Sequence, residues 1–378
     1  MQSTTDATAA RVSNLPQQLA EHAQFAKGRG GKRLELRLAN LTGLRLRGFD
    51  LSGARMLASN LSSADMEGVL FRDADLENSL FIGANLRSCD FSRANLRGAR
   101  FYRSDLQSAR LDGTDMRVGT LVIKTGTKNQ TDHNSFGAVT DLSFCNMEGA
   151  SLQGAVMRKC RMRGVNLRNA DLKQVDFQEA DLQGVVLLGA EMNGANFHLA
   201  DISDAVFSVD EQTRRAFRGN PAFEAHLRGL DEMERIIAEH ERWVDSTGRE
   251  GRRADFTGQK LRGVDFRGRE LSAVSFRGAE LAGANLAHAK LAAADFQGAR
   301  LLYTDLSGTD LRGANFTGAT LMHGRLEAAD LGDLPLRNGN ALPARFQGAV
   351  LDWCDLTGAR PGPAGFAGAK MANCTPPA

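Results

Sequence analysis

The chain of 378 residues has few aromatic residues, few prolines and almost no net charge. It holds 2 Trp and 2 Tyr beside 20 Phe, and its 8 Pro and 40 Gly do not fit a proline-rich disordered chain. A formal net charge of +2 argues against a general polyanion binder and against an acidic mimic of nucleic acid. No apolar run approaches the roughly 18 residues of a membrane span. The first residues lack the apolar core of a secretory signal, so we expect a cytoplasmic protein.

The dominant feature of the sequence is a five-residue repeat. From Leu36 onward every fifth residue is large and apolar, the phase slips by one residue before Leu142, and a third run extends from Phe256 to Leu336. A small residue lies two positions before each apolar one, and Asp or Asn often lies between them. A period of five fits neither an α-helix nor a β-strand. It predicts a chain that turns a corner every five residues and points two side chains inward on each side.

The repeat unit reads Ala-(Asp/Asn)-(Leu/Phe)-x-x, as in ANLTG, ADLEN, ANLRG, ADLQG, GANFTG and TDLSG. In these segments the chain resembles the pentapeptide repeat family. The resemblance implies an all-β solenoid, a right-handed quadrilateral β-helix with four pentads in each coil. Charge stacking offers a test of coil length that does not need the family, because like charges facing each other are unfavourable. In the first run, a coil of 10 residues would stack Asp65 on Asp75, one of 15 residues Asp75 on Asp90, and one of 25 residues Asp65 on Asp90. A coil of 20 residues stacks no two acids in this run.

Helical segments divide the chain. We predict a helical cap at 1–33, a first β-helix at 34–207, a helical linker with a second cap at 208–253, and a second β-helix with an irregular C-terminal end at 254–378. The cap is predicted twice because Glu21, His22 and Phe25 are paralleled by Glu239, His240 and Trp243. In this interpretation a short helix lays an aromatic ring over the open end of a coil. Residues 122–141 interrupt the first solenoid, either as a bulged coil or as a projecting loop.

Potential catalytic and metal-binding residues follow the repeat. All five cysteines lie at the small inward position, where a thiol replaces the alanine methyl group. The histidines have no metal-ligand spacing, and the aspartates recur at too many equivalent ladder positions to be catalytic pairs. We therefore expect no catalytic residue, no cofactor and no bound metal, and capping roles for His22 and His240.

Outward apolar residues are rare, and where they align they indicate an interface. A 20-residue coil would stack Leu302, Met322 and Leu342, with Tyr303 beside them. In the first solenoid it would stack Ile82 and Tyr102, with Leu80 nearby; packing under a loop or a cap is the alternative. A second candidate surface is a basic belt around one coil, for which a solvated face is the alternative. Its members are Arg158, Lys159, Arg161, Arg163, Arg168 and Lys173.

The sequence thus predicts a non-enzymatic, rigid scaffold that binds a protein partner through flat solenoid faces, with self-association left open and nucleic acid not expected. The family resemblance implies an alternative, because some of its members are acidic dimers that imitate DNA and protect DNA gyrase from quinolones. The near-neutral charge and the basic belt argue against that role. A second alternative is an enzyme with its site at the 208–250 junction.

Overall fold

The computed structural model describes residues 14–121 and 136–377. These residues form two compact units. The first unit draws on the chain up to Ala205 and on Asp210–Phe223; the second draws on Val206–Val209 and on the chain from Glu224 onward. Each unit is a right-handed quadrilateral β-helix, the fold that the resemblance implies.

The regular strands span two or three residues each, whereas the helices range from 6 to 25 residues. The helices are α1 (Leu15–Ala26), α2 (Glu211–Ala216) and α3 (Pro221–Asp245). The strands are β1 (Glu35–Arg37), β2 (Arg55–Leu57), β3 (Gly119–Leu121), β4 (Phe136–Ala138), β5 (Arg300–Leu302), β6 (Thr320–Met322), β7 (Asp330–Leu331), β8 (Leu334–Pro335), β9 (Ala341–Leu342), β10 (Val350–Asp352), β11 (Arg360–Pro361) and β12 (Lys370–Ala372). Among the described helices, none combines the length and the apolar character needed to cross a membrane.

The predicted coil length of four pentads is confirmed by the register of the parallel bridges. Asp65 pairs with Asn85, and Asn85 pairs with Asp105. The alternation of aspartate and asparagine forms hydrogen bonds between coils: the Asn85 side-chain amide donates to the Asp65 carboxylate at 2.9 Å. Stacking of carboxylate on amide replaces a repulsion by a charge-assisted hydrogen bond.

Each corner is a tight turn that the repeat encodes locally. At one corner the Leu44 amide donates to the Leu41 carbonyl at 3.3 Å, and Gly43 has φ of 69°. A positive φ at the third residue of a turn closed in this way is the geometry of a type II turn, which glycine adopts without steric cost. Other turn types would turn the chain through a different angle, so a glycine at this position helps to set the square cross-section of the coil.

The interior of each coil is filled by side chains. In the second unit the rings of Phe276, Phe296, Phe316 and Phe346 stack in one column, with centroids 5.1, 4.8 and 5.0 Å apart in that order. All four are buried. Parallel rings at this spacing pack as densely as a protein core allows, so the solenoid interior is a core and not a channel.

The first solenoid is interrupted where the sequence predicts. Leu80 pairs with Arg100 in the usual register, but Arg100 pairs with Asp141, so an insertion makes this coil more than twice the usual length. β3 and β4 pair antiparallel on either side of the added segment, while 122–135 lie outside the described residues. The described flanks therefore leave and rejoin the coil as a hairpin. Leu121 lies in β3, and its predicted place as a repeat centre is wrong because Leu142 continues the coil.

A second insertion is not evident from the sequence. Asp295 pairs with Asn315 in the usual register, but Asn315 pairs with Arg345, so one coil of the second unit is longer by two pentads. β8 and β9 form an antiparallel pair within this insertion. Leu336, predicted as an inward repeat centre, is 40% exposed instead. Because the insertion is a whole number of pentads, it preserves the phase of the repeat, and its trace in the sequence is a run that falters after Leu336.

Two glycines with the same backbone conformation differ in how closely other atoms pack around them. Gly278 and Gly263 have φ of 62° and 65°; a methyl group at Gly278 would meet nothing within 4 Å, whereas at Gly263 it would lie 2.0 Å from the Phe207 carbonyl oxygen. Gly278→Ala should lower the free energy of unfolding by about 1–2 kcal/mol through φ alone. Gly263→Ala should lower it clearly more, as measured by urea unfolding. Equal losses would show that Phe207 does not pack against Gly263.

Candidate interaction surfaces

The two caps share one hydrogen-bond arrangement. In α1 the His22 Nδ1 accepts the Leu34 amide at 3.0 Å, and in α3 the His240 Nδ1 accepts the Ala254 amide at 3.0 Å. Both imidazoles are fully buried. Each also stacks on an aromatic ring of its own helix, at 5.5 Å in α1 and 5.7 Å in α3. The repeated histidines therefore satisfy the first backbone donor of each solenoid.

Burial lowers the pKa of both cap histidines. A proton on Nδ1 would also displace the amide that it accepts, so the neutral imidazole is the form that caps the coil. The folded protein then binds fewer protons than the unfolded chain, in which histidine titrates near its ordinary pKa of 6.5. The stabilisation by each cap is therefore complete above that pH and is lost as the pH falls through and below it.

This arrangement predicts an acid-sensitive cap on the second unit. His240→Asn keeps an acceptor at the same place but does not titrate, so the fall in melting temperature from about pH 7.5 to about pH 5 should be smaller than in the parent protein. His240→Leu leaves the Ala254 amide buried without its acceptor and should cost about 1–3 kcal/mol at neutral pH. An unchanged acid response in His240→Asn would exclude His240 as its source.

A further cap, not predicted from the sequence, ends the first solenoid. Phe217 follows Phe197 by one coil length and packs on its ring at a centroid distance of 4.8 Å. Side-chain amides complete the ladder, because Gln212 donates to the Ala190 carbonyl at 2.8 Å and Asn220 to the Ala200 carbonyl at 3.0 Å. The prediction of one linker and second cap over 208–253 therefore changes: α2 belongs to the first unit, and the end of α3 caps the second.

The cysteines lie where the repeat predicts, at inward positions. Four are buried and Cys374 is half-buried, and all five are free thiols. Burial raises the pKa of Cys89 and of Cys145 to about 12, so these thiols are protonated at neutral pH and poor nucleophiles. Within 14–121 and 136–377 no group of His, Cys, Asp or Glu is arranged to hold a metal ion.

The aspartate ladder has a structural role that the sequence analysis did not foresee. The Asp50 carboxylate accepts the Ser52 amide at 3.0 Å, and the Asp305 carboxylate accepts the Ser307 amide at 3.0 Å. The same contact, from the amide two residues later, recurs along both solenoids. It is an Asx turn, and it explains why Asp and Asn precede the apolar residue. The second carboxylate oxygen is then free to bind an arginine of a neighbouring coil.

Five of the six side chains in the basic belt bind carboxylates. The ion pairs are Arg158 with Asp176, Lys159 with Glu179, Arg163 with Asp181, Arg168 with Glu148, and Lys173 with both Asp171 and Glu191. Arg161 is exposed and stacks between Asp141 and Asp181. The belt that looks basic in sequence is thus an alternation of charges in space. That arrangement fits the solvated-face interpretation.

The apolar stripe of the second unit is built differently from the prediction. Leu302 pairs with Met322, as expected, but Met322 pairs with Asp352. Leu342 belongs to the insertion of two pentads, and its predicted place in the stripe is wrong. These pairs belong to a parallel sheet of the strands β5, β6, β10 and β12, which forms one flat face of the solenoid.

A column of rings runs along the edge of this face. Tyr303 stacks on His323 at 4.9 Å, and His323 stacks on Trp353 at 6.2 Å, with interplanar angles of 19° and 16°. The Trp353 side chain is 58% exposed, and Met322 and Val350 are also exposed. The sequence analysis finds Tyr303 but overlooks His323, which lies one regular coil further on. It misses Trp353 because it assumes the wrong register beyond Met322.

The apolar patch of the first unit is also larger than predicted. Ile82 and Tyr102 occupy equivalent positions on successive coils and are half-buried, as is Leu80. The ring of Phe144 meets that of Tyr102 edge-on at 5.6 Å, and Phe144 is 54% exposed. The Arg103 guanidinium lies 5.3 Å from the Tyr102 ring centre, a cation–π distance.

A groove of about 420 Å³ lies within the second unit beside α3. Met233 of the helix and Phe256, Leu261 and Val264 of the first coil give it an apolar base. Its polar lining residues are His226, Glu232, Asp255, Gln259 and Lys260, and the lining includes no serine, threonine or cysteine. A hydrogen bond from the Thr257 hydroxyl lowers the pKa of Asp255, which keeps this carboxylate ionised. The groove therefore lacks a hydroxyl or thiol nucleophile.

Comparison with known families places the chain. The model of pentapeptide repeats matches residues 39–78, 79–117, 140–174, 170–208, 252–286, 270–301 and 303–333. The chain belongs to the pentapeptide repeat family. No match was found among curated proteins.

Several solved pentapeptide repeat proteins are similar to this family member. HetL, involved in heterocyst differentiation regulation in the cyanobacterium Nostoc sp. strain PCC 7120, is 20% identical over 89% of this chain and 93% of its own, with a TM-score of 0.28. A protein from the Arabidopsis thaliana thylakoid lumen is 34% identical over 27% of this chain and 64% of its own, with a TM-score of 0.22. QnrB1, a plasmid-mediated fluoroquinolone resistance protein, is 17% identical over 50% of this chain and 98% of its own, with a TM-score of 0.19. These low scores carry no functional argument.

Proposed function

We propose that this pentapeptide repeat protein is a rigid, non-enzymatic scaffold that binds another protein through a flat face of its second solenoid. The observation that carries the proposal is the apolar stripe on the β5, β6, β10 and β12 sheet. Leu302, Met322, Val350 and Trp353 point outward there, whereas most outward positions elsewhere in the repeat are polar. Leu302 and Met322 share one column, and Val350 and Trp353 lie in the columns on either side of it. Apolar side chains gathered on one face, with an exposed tryptophan among them, have the composition of an interface centre.

The interior of the solenoids supports a surface function. Stacked phenylalanine rings and aliphatic side chains fill the described coils, so a ligand has no room inside. A flat face offers a protein partner a long and preformed surface, and little conformational entropy is lost when a rigid surface binds. Flat faces rather than pockets are what a filled solenoid offers.

An acidic mimic of DNA is less well supported. The carboxylates of the ladders are interleaved with arginines, as in the pairs Arg47–Asp65 at 2.6 Å and Arg277–Asp295 at 3.0 Å. Alternating charges cancel over a few ångströms and do not build the continuous negative potential of a phosphate backbone. The same cancellation makes the first unit's belt a weak candidate for binding nucleic acid.

A second surface, the patch formed by Ile82, Tyr102 and Phe144, is the runner-up on the first unit. It has fewer exposed apolar residues than the stripe, and one ring of it packs under Arg103. Self-association through either surface is the alternative to a different protein partner. Because the cysteines are free, we place the protein in a reducing compartment, the cytoplasm.

The stripe can be tested by a triple variant with a matched control. Leu302→Lys, Met322→Lys and Trp353→Lys together put three charges on the face, and Gln297→Lys with Thr317→Lys adds lysines to a neighbouring face at the same height. A photo-crosslinker at Thr320 should capture a partner in host cells, and the stripe variant should bind the purified partner at least about tenfold more weakly. The control should bind like the parent protein.

Thermal unfolding of both variants keeps a folding defect separate from a binding defect. Light scattering of the purified proteins reports self-association, and a loss of mass in the stripe variant alone would identify a second copy as the partner. If both variants keep the parent's partners and mass, the stripe is not an interface and the proposal fails.

A further inference from the structure

Two cysteines of the second unit are stacked on consecutive coils. Cys354 and Cys374 lie one coil length apart and follow β10 and β12, which pair in parallel with Leu351 opposite Met371. The Thr375 amide donates to the Cys354 carbonyl at 3.0 Å, which continues the ladder past both cysteines. Equivalent backbone positions on adjacent coils are about 4.8 Å apart. This spacing lies within the Cα separation of about 4.4–6.8 Å that disulfides span.

The two thiols point the same way, toward the coil beneath each of them. The Cys354 sulfur lies 3.4 Å from the Leu321 carbonyl oxygen, and the Cys374 sulfur lies 3.5 Å from the Leu351 carbonyl oxygen. Beneath Cys354 the equivalent residue is Gly324, where the position of an absent methyl group is 3.8 Å from the Cys354 sulfur. The glycine leaves room for the Cys354 side chain to turn.

This stacking is particular to one pair among the five cysteines. Cys89 has Ala109 above it, Cys145 has Val165, and Cys160 has Ala180 in the equivalent inward positions, as the ladder bonds to Arg110, Asn166 and Asp181 show. These three thiols are each surrounded by core residues without a sulfur partner on the next coil. They serve as internal controls for any reaction of the stacked pair.

We propose that Cys354 and Cys374 form an intramolecular disulfide when the protein meets hydrogen peroxide. The bond fastens β12 to β10 at the edge of the apolar stripe. This modification site goes beyond the proposed function, and its chemistry does not depend on whether the stripe binds a partner.

Exposure sets the order of the reaction. Cys374 is half-buried and Cys354 is buried, so the Cys374 thiolate attacks the peroxide first. The O–O bond breaks, a sulfenic acid forms on Cys374, and the hydroxide that leaves takes up a proton to become water. The Cys354 sulfur then attacks the sulfenic sulfur. The S–O bond breaks and the Cys354 proton leaves with that oxygen as a second water, so two thiols lose two electrons and one peroxide is reduced.

The second step should be slow at neutral pH and faster in alkali. Burial, with a further contribution from the neighbouring Cys374, raises the pKa of the Cys354 thiol to about 12. Few molecules therefore hold Cys354 as the thiolate, which is the nucleophile in disulfide chemistry. Once all Cys374 has become sulfenic acid, the rate of disulfide formation should therefore rise with pH.

The closed disulfide should hold an exposed part of the solenoid. Met371, the repeat centre of β12, is 43% exposed, so few apolar contacts hold this strand. A disulfide between residues one coil length apart restricts the unfolded chain and opposes local opening of the coil. Amide hydrogen exchange at Trp353 and Thr375, whose amides bond across the two coils, should slow on oxidation.

The test is oxidation of the full chain with one equivalent of hydrogen peroxide, followed by alkylation and intact-mass spectrometry. We expect the loss of two hydrogen atoms, reversal by dithiothreitol, and a tryptic digest in which the peptides on either side of Lys370 that carry Cys354 and Cys374 are joined. Cys374→Ser should abolish the link, and Cys160→Ser should leave it unchanged. Circular dichroism checks that each variant is folded.

Other products would overturn the proposal. A Cys374 sulfinic acid with no link to Cys354 would mean that the two sulfurs do not meet. A disulfide between any other pair, or one between two molecules, would assign the reactivity elsewhere. Because none of these measurements uses a binding partner, failure of the stripe as an interface would leave their outcome intact.

Discussion

The hydrogen bonds between successive coils are the interaction on which the rest of the structure depends. In the middle of the first unit the Leu96 amide donates to the Asp115 carbonyl at 2.9 Å, and the Asn95 amide donates to the Ala74 carbonyl at 2.9 Å. Each coil is thus bonded on both sides, and a coil at the end of a solenoid has one side unbonded. An exposed edge leaves backbone groups unpaired and attracts other strands, so helices cap the ends of the solenoids.

The same ladder places each side chain over its equivalent one coil away. Phenylalanine stacks on phenylalanine inside, asparagine binds aspartate at the turns, and arginine meets aspartate between coils. The rule extends to the candidate sites, since the Tyr303, His323 and Trp353 rings form one column and Cys354 and Cys374 form another. A surface on this protein is therefore a column of residues from separate turns of the chain, and its chemistry is decided by register.

Much of this could be predicted from the sequence because the repeat is local. The apolar residue, the small residue before it and the positive-φ glycine after it each act within one pentad, so inward and outward positions could be assigned residue by residue. The coil length followed from the alternation of Asp65, Asn85 and Asp105, and the parallel between His22 and His240 indicated a repeated cap. The first insertion could be detected because its length is not a whole number of pentads and therefore shifts the phase of the repeat.

What the tertiary structure decided was the register between distant pentads and the ends of the solenoids. The insertion of two pentads keeps the phase of the repeat, so the sequence shows only a run that falters after Leu336, and the pairing of Asn315 with Arg345 identifies the insertion. Leu342 leaves the stripe for that reason, and Trp353 follows His323 in the column of rings. The cap by Phe217 has no pentad around it and is recognised by its contact with Phe197. The period of the repeat determines which way a side chain points. Which residues meet across coils depends on how many residues each coil contains. The five-residue pattern is the same in a regular and in a lengthened coil, so it does not give that number.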